Sequence, residues 1–249
     1  MKRLWVLWRR EVAAMVVSPV AYILGAMFLV VMGVGFWFIA SVRLINGATL
    51  YDFLRALYGG VAWLGVLMVV PVLTMRLFAE ETKSGTLELL LTAPVRETEV
   101  VFAKFLGALT LYILFWVPTL AYFFLIHQAL PEGITLDTGA IASTYLGLFL
   151  TGGFALSVGT LCSALTKHTL VACMCTFGLL LLWFLGGFLP AVSPIPAFRA
   201  MTEPFSPVLH VLQFSRGIVD TRPIVLYVAS TFLLLSITIR VLESRRWRA

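Results

Sequence analysis

"FAEETKSGTLELLLTAPVRETEVVFAK" occupies residues 78–104 and carries eight charged side chains: Glu80, Glu81, Lys83, Glu88, Arg96, Glu97, Glu99 and Lys104. On either side of it lie apolar runs, residues 56–75 and 105–126, that hold no Asp, Glu, Lys or Arg. Each run is about 20 residues long, enough at 1.5 Å per residue to cross the hydrocarbon core of a bilayer. The charged stretch therefore reads as the connection between two membrane helices.

The rest of the chain fits that reading. It has 249 residues, of which 61% are hydrophobic and 12% charged, whereas a soluble domain carries about 25% charged residues. The mean hydropathy is +1.00. With charges as boundaries, six spans are expected: 20–42, 56–75, 105–126, one between Asp137 and Lys167, 168–189, and 224–241. The fold class is an all-α polytopic membrane protein. The first apolar run is too long for the core of a cleaved signal peptide and is expected to remain as a helix. Ser18-Pro19 separates it from "MKRLWVLWRREV", where Leu4, Trp5, Trp8 and Val12 fall near one helical face among Lys2, Arg3, Arg9 and Arg10. Residues 1–18 are expected to form a basic helix lying in the headgroup plane rather than a frayed tail.

Orientation follows from Lys and Arg. With the amino terminus inside, 13 of the 18 basic residues fall on the inner side and five (Arg43, Arg55, Arg199, Arg216 and Arg222) on the outer side. The positive-inside rule puts both termini and segment 76–104 in the cytoplasm, in what is expected to be a bacterial inner membrane. The net charge of +6 arises at span ends, where topology signals and headgroup contacts belong, and it excludes nucleic acid as the expected partner. Cys162, Cys173 and Cys175 lie inside apolar runs, as small packing residues and not as a disulfide or metal framework.

Within the charged stretch, Gly85-Thr86 offers a helix start, Leu87, Leu90 and Leu91 share a face, and Pro94 is a stop. Spacing alone leaves two readings: an amphipathic helix seated in lipid or a protein groove, or a solvated loop. On the outer side, segment 190–223 is proline-rich yet apolar. "PVLHVLQFSRGIVD" reads as a short helix with Val208, Val211, Leu212, Ser215 and Val219 recurring at three and four residues. This segment is either a re-entrant cap over a pathway or an interfacial loop. Ala155, Gly159 and Ser163 form a small-x-x-x-small face on span four, expected to pack within the chain against span three or five, with another subunit as the alternative. Gly33 and Gly35 in span one carry the same ambiguity. The seven Trp residues are expected mostly at the membrane interfaces, and the isolated His127, His168 and His210 at span ends are not expected to be ligands.

These residues also carry a family resemblance. Glu81, Gly85, Thr86, Leu87, Glu88, Leu90, Pro94, Glu99 and Lys104 resemble the signature of the ABC-2 type permeases, the membrane subunits of a class of ATP-binding-cassette exporters. The chain departs from that pattern at Ala103, where Gly is usual, and at Lys83, often acidic. A finer resemblance, to the gliding-motility branch, rests on Ser206, Pro207, His210, Phe214, Gly217, Asp220 and Tyr227. The resemblance implies an ABC-2 exporter transmembrane domain spanning residues 1–249, paired with a second, identical or different, permease subunit and with two cytosolic ATPase subunits. It implies that residues 80–104 couple to the ATPase: Glu80, Glu81, Gly85, Thr86, Leu87, Glu88, Leu90, Leu91, Pro94, Glu99 and Lys104, with Lys104 anchoring the start of span three. A periplasmic or outer auxiliary protein is a further partner compatible with the long outer segment. No cofactor is expected in this chain. ATP and Mg would bind the partner, because "ETKSGT" lacks the preceding glycines of a phosphate loop.

Two alternatives lie outside this family. Glu80-Glu81 and Phe123-x-x-x-His127 resemble part of an intramembrane protease signature, but Gly85 stands where Arg is required. About 20 helical residues, roughly 30 Å, separate the two halves of that signature. An ion-coupled secondary transporter would place ionisable groups near the bilayer midplane, where these spans have none.

Overall fold

The computed structural model describes residues 2–45, 50–85, 96–129 and 137–246, and these are helical almost throughout, with no strand among them. In chain order the helices are α1 (Lys2–Val17), α2 (Pro19–Ile45), α3 (Leu50–Ala56), α4 (Ala62–Thr74), α5 (Ala79–Ser84), α6 (Glu97–Trp116), α7 (Ala121–Ala129), α8 (Thr138–Leu165), α9 (Thr169–Gly186), α10 (Leu189–Val192), α11 (Pro196–Thr202), α12 (Pro207–Ser215) and α13 (Thr221–Arg246). Six segments are long and apolar enough to cross a membrane: Pro19–Val42, Tyr51–Ser84, Glu97–Leu125, Thr138–Leu165, Thr169–Val192 and Thr221–Ser244. They correspond one for one to the six expected spans.

Two boundaries move. Span two begins at α3, a turn before residue 56, and reaches α4 through a π-helical turn at Leu57–Val61. Span three begins at Glu97, so Lys104 lies two turns inside α6 and does not precede it. The expected start at residue 105 placed the charge outside the helix. A charged residue fits inside because it is paired, as described below.

The spans are unequally buried. The apolar windows of spans two, three and four are 61, 56 and 67% buried, against 22, 22 and 17% for one, five and six. Spans two to four therefore form the core, and the others present most of their surface outward. Span four (α8) is apolar or small all round, the pattern of a helix enclosed on every side. Its small residues let neighbours seat close to its backbone. A Cβ at Gly152 would fall on the Tyr112 ring of span three, and one at Gly159 on Thr74 of span two. The small-x-x-x-small face thus packs within the chain, but its partner is span two, not span three or five. Gly159 meets Thr74, and Ser163 meets the turn that follows it. Gly35 of span one likewise packs within the chain, against Val61.

The Trp residues are not all at the interfaces. Trp63 and Trp116 are buried: Trp63 against Trp183 and Phe184, Trp116 against Phe28 and Tyr112. Beside them Pro118, which lacks an N–H, tightens span three into a 3-10 turn at Val117–Leu120. The Thr119 hydroxyl lies 2.6 Å from both the Trp116 carbonyl and the Tyr145 hydroxyl, which is 3.0 Å from that of Tyr58 on the π turn. The buried hydroxyls of Thr119, Tyr145 and Tyr58 thereby satisfy one another and link span four to both helix irregularities.

Candidate functional site: a charged elbow at one end of the bundle

The charged stretch starts where span two breaks. α4 ends at Thr74, and residues 75–78 turn before α5 resumes. The break strips intrahelical partners from the carbonyl of Met75 and the amides of Phe78 and Ala79. Ser163, near the end of α8, serves all three: its Oγ accepts from Phe78 N at 3.0 Å and Ala79 N at 3.1 Å, and donates to Met75 O at 3.2 Å. Glu80 and Glu81 fall in the first turn of α5 and Lys83 in the last, the arrangement that the helix dipole favours.

Gly85 then takes φ +71°, a left-handed conformation that costs glycine little and suits a residue closing a helix. Gly85 thus ends α5, and the helix expected to start at Gly85-Thr86 lies outside the described residues. Residues 86–95, and with them Thr86, Leu87, Glu88, Leu90, Leu91 and Pro94, lie outside the described residues. The chain is described again at Arg96, whose amide donates to Glu99 Oε2 at 3.3 Å, so Glu99 caps the start of α6.

Lys104 is the centre of the site. Its side chain is only 4% exposed, and its Nζ lies 2.7 Å from Glu81 Oε1 on α5 and 3.3 Å from Glu11 Oε2 on α1. The Phe78 ring is 5.5 Å from the same ammonium. One cation thus ties together the elbow after span two, the start of span three and the amino-terminal helix. Arg76 and Glu80 make a looser pair at 3.8 Å across one helical turn. A cleft of about 300 Å³ opens beside the cluster, bounded by Glu11, Met15, Arg76, Glu80 and Glu81.

Glu11 was not anticipated, although a signal existed: it is the only acidic residue before Asp52, set in an otherwise basic helix. It faces inward because α1 lies along α6. A Cβ at Gly107 would stand 3.2 Å from that of Glu11, and Trp8 Nε1 donates to Thr110 Oγ1 at 3.1 Å. The face presented to the bundle runs through Leu4, Leu7, Trp8, Glu11 and Met15. Trp5, grouped in the sequence with Leu4 and Trp8 on the apolar face, is 59% exposed and lies against Trp8, with ring centroids 4.6 Å apart. α1 is a helix, as expected, and it packs on protein along one side.

At the opposite end, α12 packs back on the bundle, whereas Val192, Ile195, Met201 and Phe205 before it are exposed. α12 forms where the short helix was expected but stops at Ser215, with Gly217 at φ +78°, so Val219 lies beyond it and is exposed. Ser206 caps α12, accepting from Leu209 N at 3.3 Å and donating to Gly187 O at 2.6 Å, while Pro207 opens it. Phe214 packs on Gly147 and its carbonyl accepts from Ser143 Oγ at 2.7 Å. Asp220 accepts from Arg222 N at 3.0 Å at the start of α13. His210 is buried, with Nδ1 2.9 Å from the Tyr227 hydroxyl. Ser206, His210 and Phe214, singled out in the sequence, therefore hold α12 in its seat.

Burial drives the His210 pKa below its usual value, against the opposing pull of Asp220 and the Pro204 carbonyl. The neutral ring belongs to the seated helix, so its contribution is complete above about pH 6.5 and is lost as pH falls through the lowered value. Amides of residues 209–214 should accordingly lose hydrogen-exchange protection, relative to intrinsic rates, between pH 7.5 and 5. In His210→Gln that loss should vanish. Equal protection at both pH values in the unsubstituted protein would refute this assignment.

Among the described residues no group of three or more His, Cys, Asp or Glu could hold a metal ion. The sequence model of the family described as "ABC-2 family transporter protein" matches residues 45–239. That stretch takes in the whole elbow, spans two to five and most of span six. No curated protein matches the chain.

Proposed function

Because the chain belongs to the ABC-2 transporter family, a multi-pass membrane transport component and not itself a catalyst, we propose that it is the permease subunit of an exporter driven by a separate ATPase. The observation that carries this reading is that the family match, residues 45–239, takes in residues 76–104, the most densely charged connection between two spans in the sequence. In this reading the elbow faces the cytosol with both termini, on the side that receives 13 of the 18 basic residues. Residues 86–94 are the handle: Glu88 and the Leu87, Leu90, Leu91 face dock in a groove of the ATPase. Gly85 and Pro94 bound the handle.

Motion leaves the handle by two routes. One is α5, whose start is held by Ser163 on span four. The other is α6, whose second turn carries Lys104. Closure of two ATPase subunits around ATP and Mg then moves spans two and three of each permease copy, identical or paired with a different partner, and opens the outer side. The outer residues Ser206, Pro207, His210, Phe214, Gly217 and Asp220 suit a subfamily related to the gliding-motility permeases, in which the machine exports a solute or transmits force to an outer protein.

Purification from native membranes in mild detergent, with identification of what co-elutes, tests the reading. A P-loop ATPase at a stoichiometric level is expected. A stable oligomer free of ATPase that takes up a solute with protons or sodium would replace the reading with an ion-coupled carrier.

A further inference from the structure

The cleft beside the ion cluster does not end there. It shares Val20, Leu24 and Val72 with a second cavity of about 410 Å³ that continues between α2, α4 and α9. Each cavity is of a size that takes small ligands. The two differ in chemistry. The second is almost wholly apolar, walled by side chains such as Ile23, Met68 and Phe177. The first is charged at its mouth.

Not every charge at that mouth is committed. Lys104 is engaged by Glu11 and Glu81, whereas Arg76 Nε and Glu80 Oε2 stand 3.8 Å apart with side chains 48 and 60% exposed. That separation exceeds a charge-assisted hydrogen bond by about 1 Å, so the two groups hold each other weakly and offer one positive and one negative contact. The apolar part is open sideways, where the surface is the one that spans one and five turn away from the core: Ile23 is 62% and Met174 73% exposed. A groove with a dipolar charged mouth at the membrane edge and an apolar floor running inward matches the two ends of one kind of molecule.

We propose that the continuous cleft between α1, α2, α4 and α9 binds a zwitterionic phospholipid of the adjoining leaflet, its phosphate on Arg76, its ammonium on Glu80, and an acyl chain between α2 and α4. The inference deepens the permease reading by naming a membrane amphiphile as the class of substrate. It rests on that reading for the lipid's role as cargo, while binding itself requires no ATPase.

The test uses the full-length chain in vesicles of equal parts phosphatidylethanolamine and phosphatidylglycerol, extracted in mild detergent and weighed intact by mass spectrometry. One phosphatidylethanolamine per chain should be retained, at least ten-fold over phosphatidylglycerol. Met68→Trp, which fills the apolar part from a partly exposed position, should cut retention at least ten-fold without moving the unfolding midpoint. Glu80→Lys should shift the preference toward phosphatidylglycerol. Equal retention of both lipids, retention of neither, or full retention by Met68→Trp overturns the proposal. So does disulfide crosslinking of Ile23→Cys to a second copy, which would assign the groove to a subunit contact. Loss of lipid binding alongside a co-eluting ATPase removes this inference and leaves the permease reading standing. Lipid retained with no ATPase does the reverse.

Discussion

Lys104→Ala should be the most damaging single substitution at the elbow, lowering stability by about 3–5 kcal/mol, because it leaves the Glu81 and Glu11 carboxylates facing each other without their cation. For a chain of this size that corresponds to a fall of about 6–20 °C in the unfolding midpoint in mild detergent. Removing the charges together tests the cause. The triple variant Glu11→Gln, Glu81→Gln, Lys104→Met should recover most of the lost stability, since an uncharged cluster has no ion to leave unpaired. On the proposed function, this triple variant should still fail to transmit ATPase closure, because α1, α5 and α6 are no longer clamped. A midpoint for Lys104→Ala within about 2 °C of the unsubstituted chain would show that the buried cluster contributes little.

The second large effect is expected at a residue that carries no charge. Ser163→Ala removes the hydroxyl that serves Phe78 N, Ala79 N and Met75 O. Buried amides left without a partner cost about 1–3 kcal/mol each, so a loss of about 2–6 kcal/mol should be concentrated at the elbow. Hydrogen exchange at Phe78 and Ala79 should quicken at least ten-fold, while α12 at the opposite end of the bundle stays unchanged. Thr160 gives the control: among the described residues its hydroxyl bonds Leu156 O of its own helix, at 2.7 Å, and no other helix. Thr160→Ala should cost under about 1 kcal/mol and leave the elbow amides protected. Were Thr160→Ala and Ser163→Ala to behave alike, the cross-helix role of Ser163 would be wrong.

Both residues show where sequence reasoning stops. The six spans were legible because charges fence off apolar runs, and bilayer thickness sets how long those runs must be. α12 was legible because Pro207 opens it and its apolar residues recur at helical spacing. What could not be read was which helices face each other. Ser163 and Gly159 announced a close-packing face, but small residues do not say what approaches them, and the approaching residue is Thr74. Glu11 and Lys104 are 93 positions apart, and no local pattern links an acid in a basic helix with a lysine near the start of another. That Gly85 closes α5 was not legible for a different reason: glycine is found at both ends of helices. The π turn at Leu57–Val61 lay within an unbroken apolar run, where hydropathy carries no sign of a changed hydrogen-bond ladder.

The common thread is an end of the bundle built around one turn. Span two breaks, span four holds the break, and span three brings a cation to the far side of it. The amino-terminal helix closes the cluster from outside. The family match covers this turn, and α5 and α6, the described elements before and after residues 86–95, are both tied into the core.

The proposal that this segment is gripped by a separate ATPase is tested most directly by placing a photo-crosslinking amino acid at Leu90 and illuminating native membranes. The account predicts a single crosslinked product with a cytosolic ATP-binding protein, diminished when Glu88→Lys is added. Labelling of the same position by a membrane-impermeant reagent applied outside intact cells, with no such product, would contradict it.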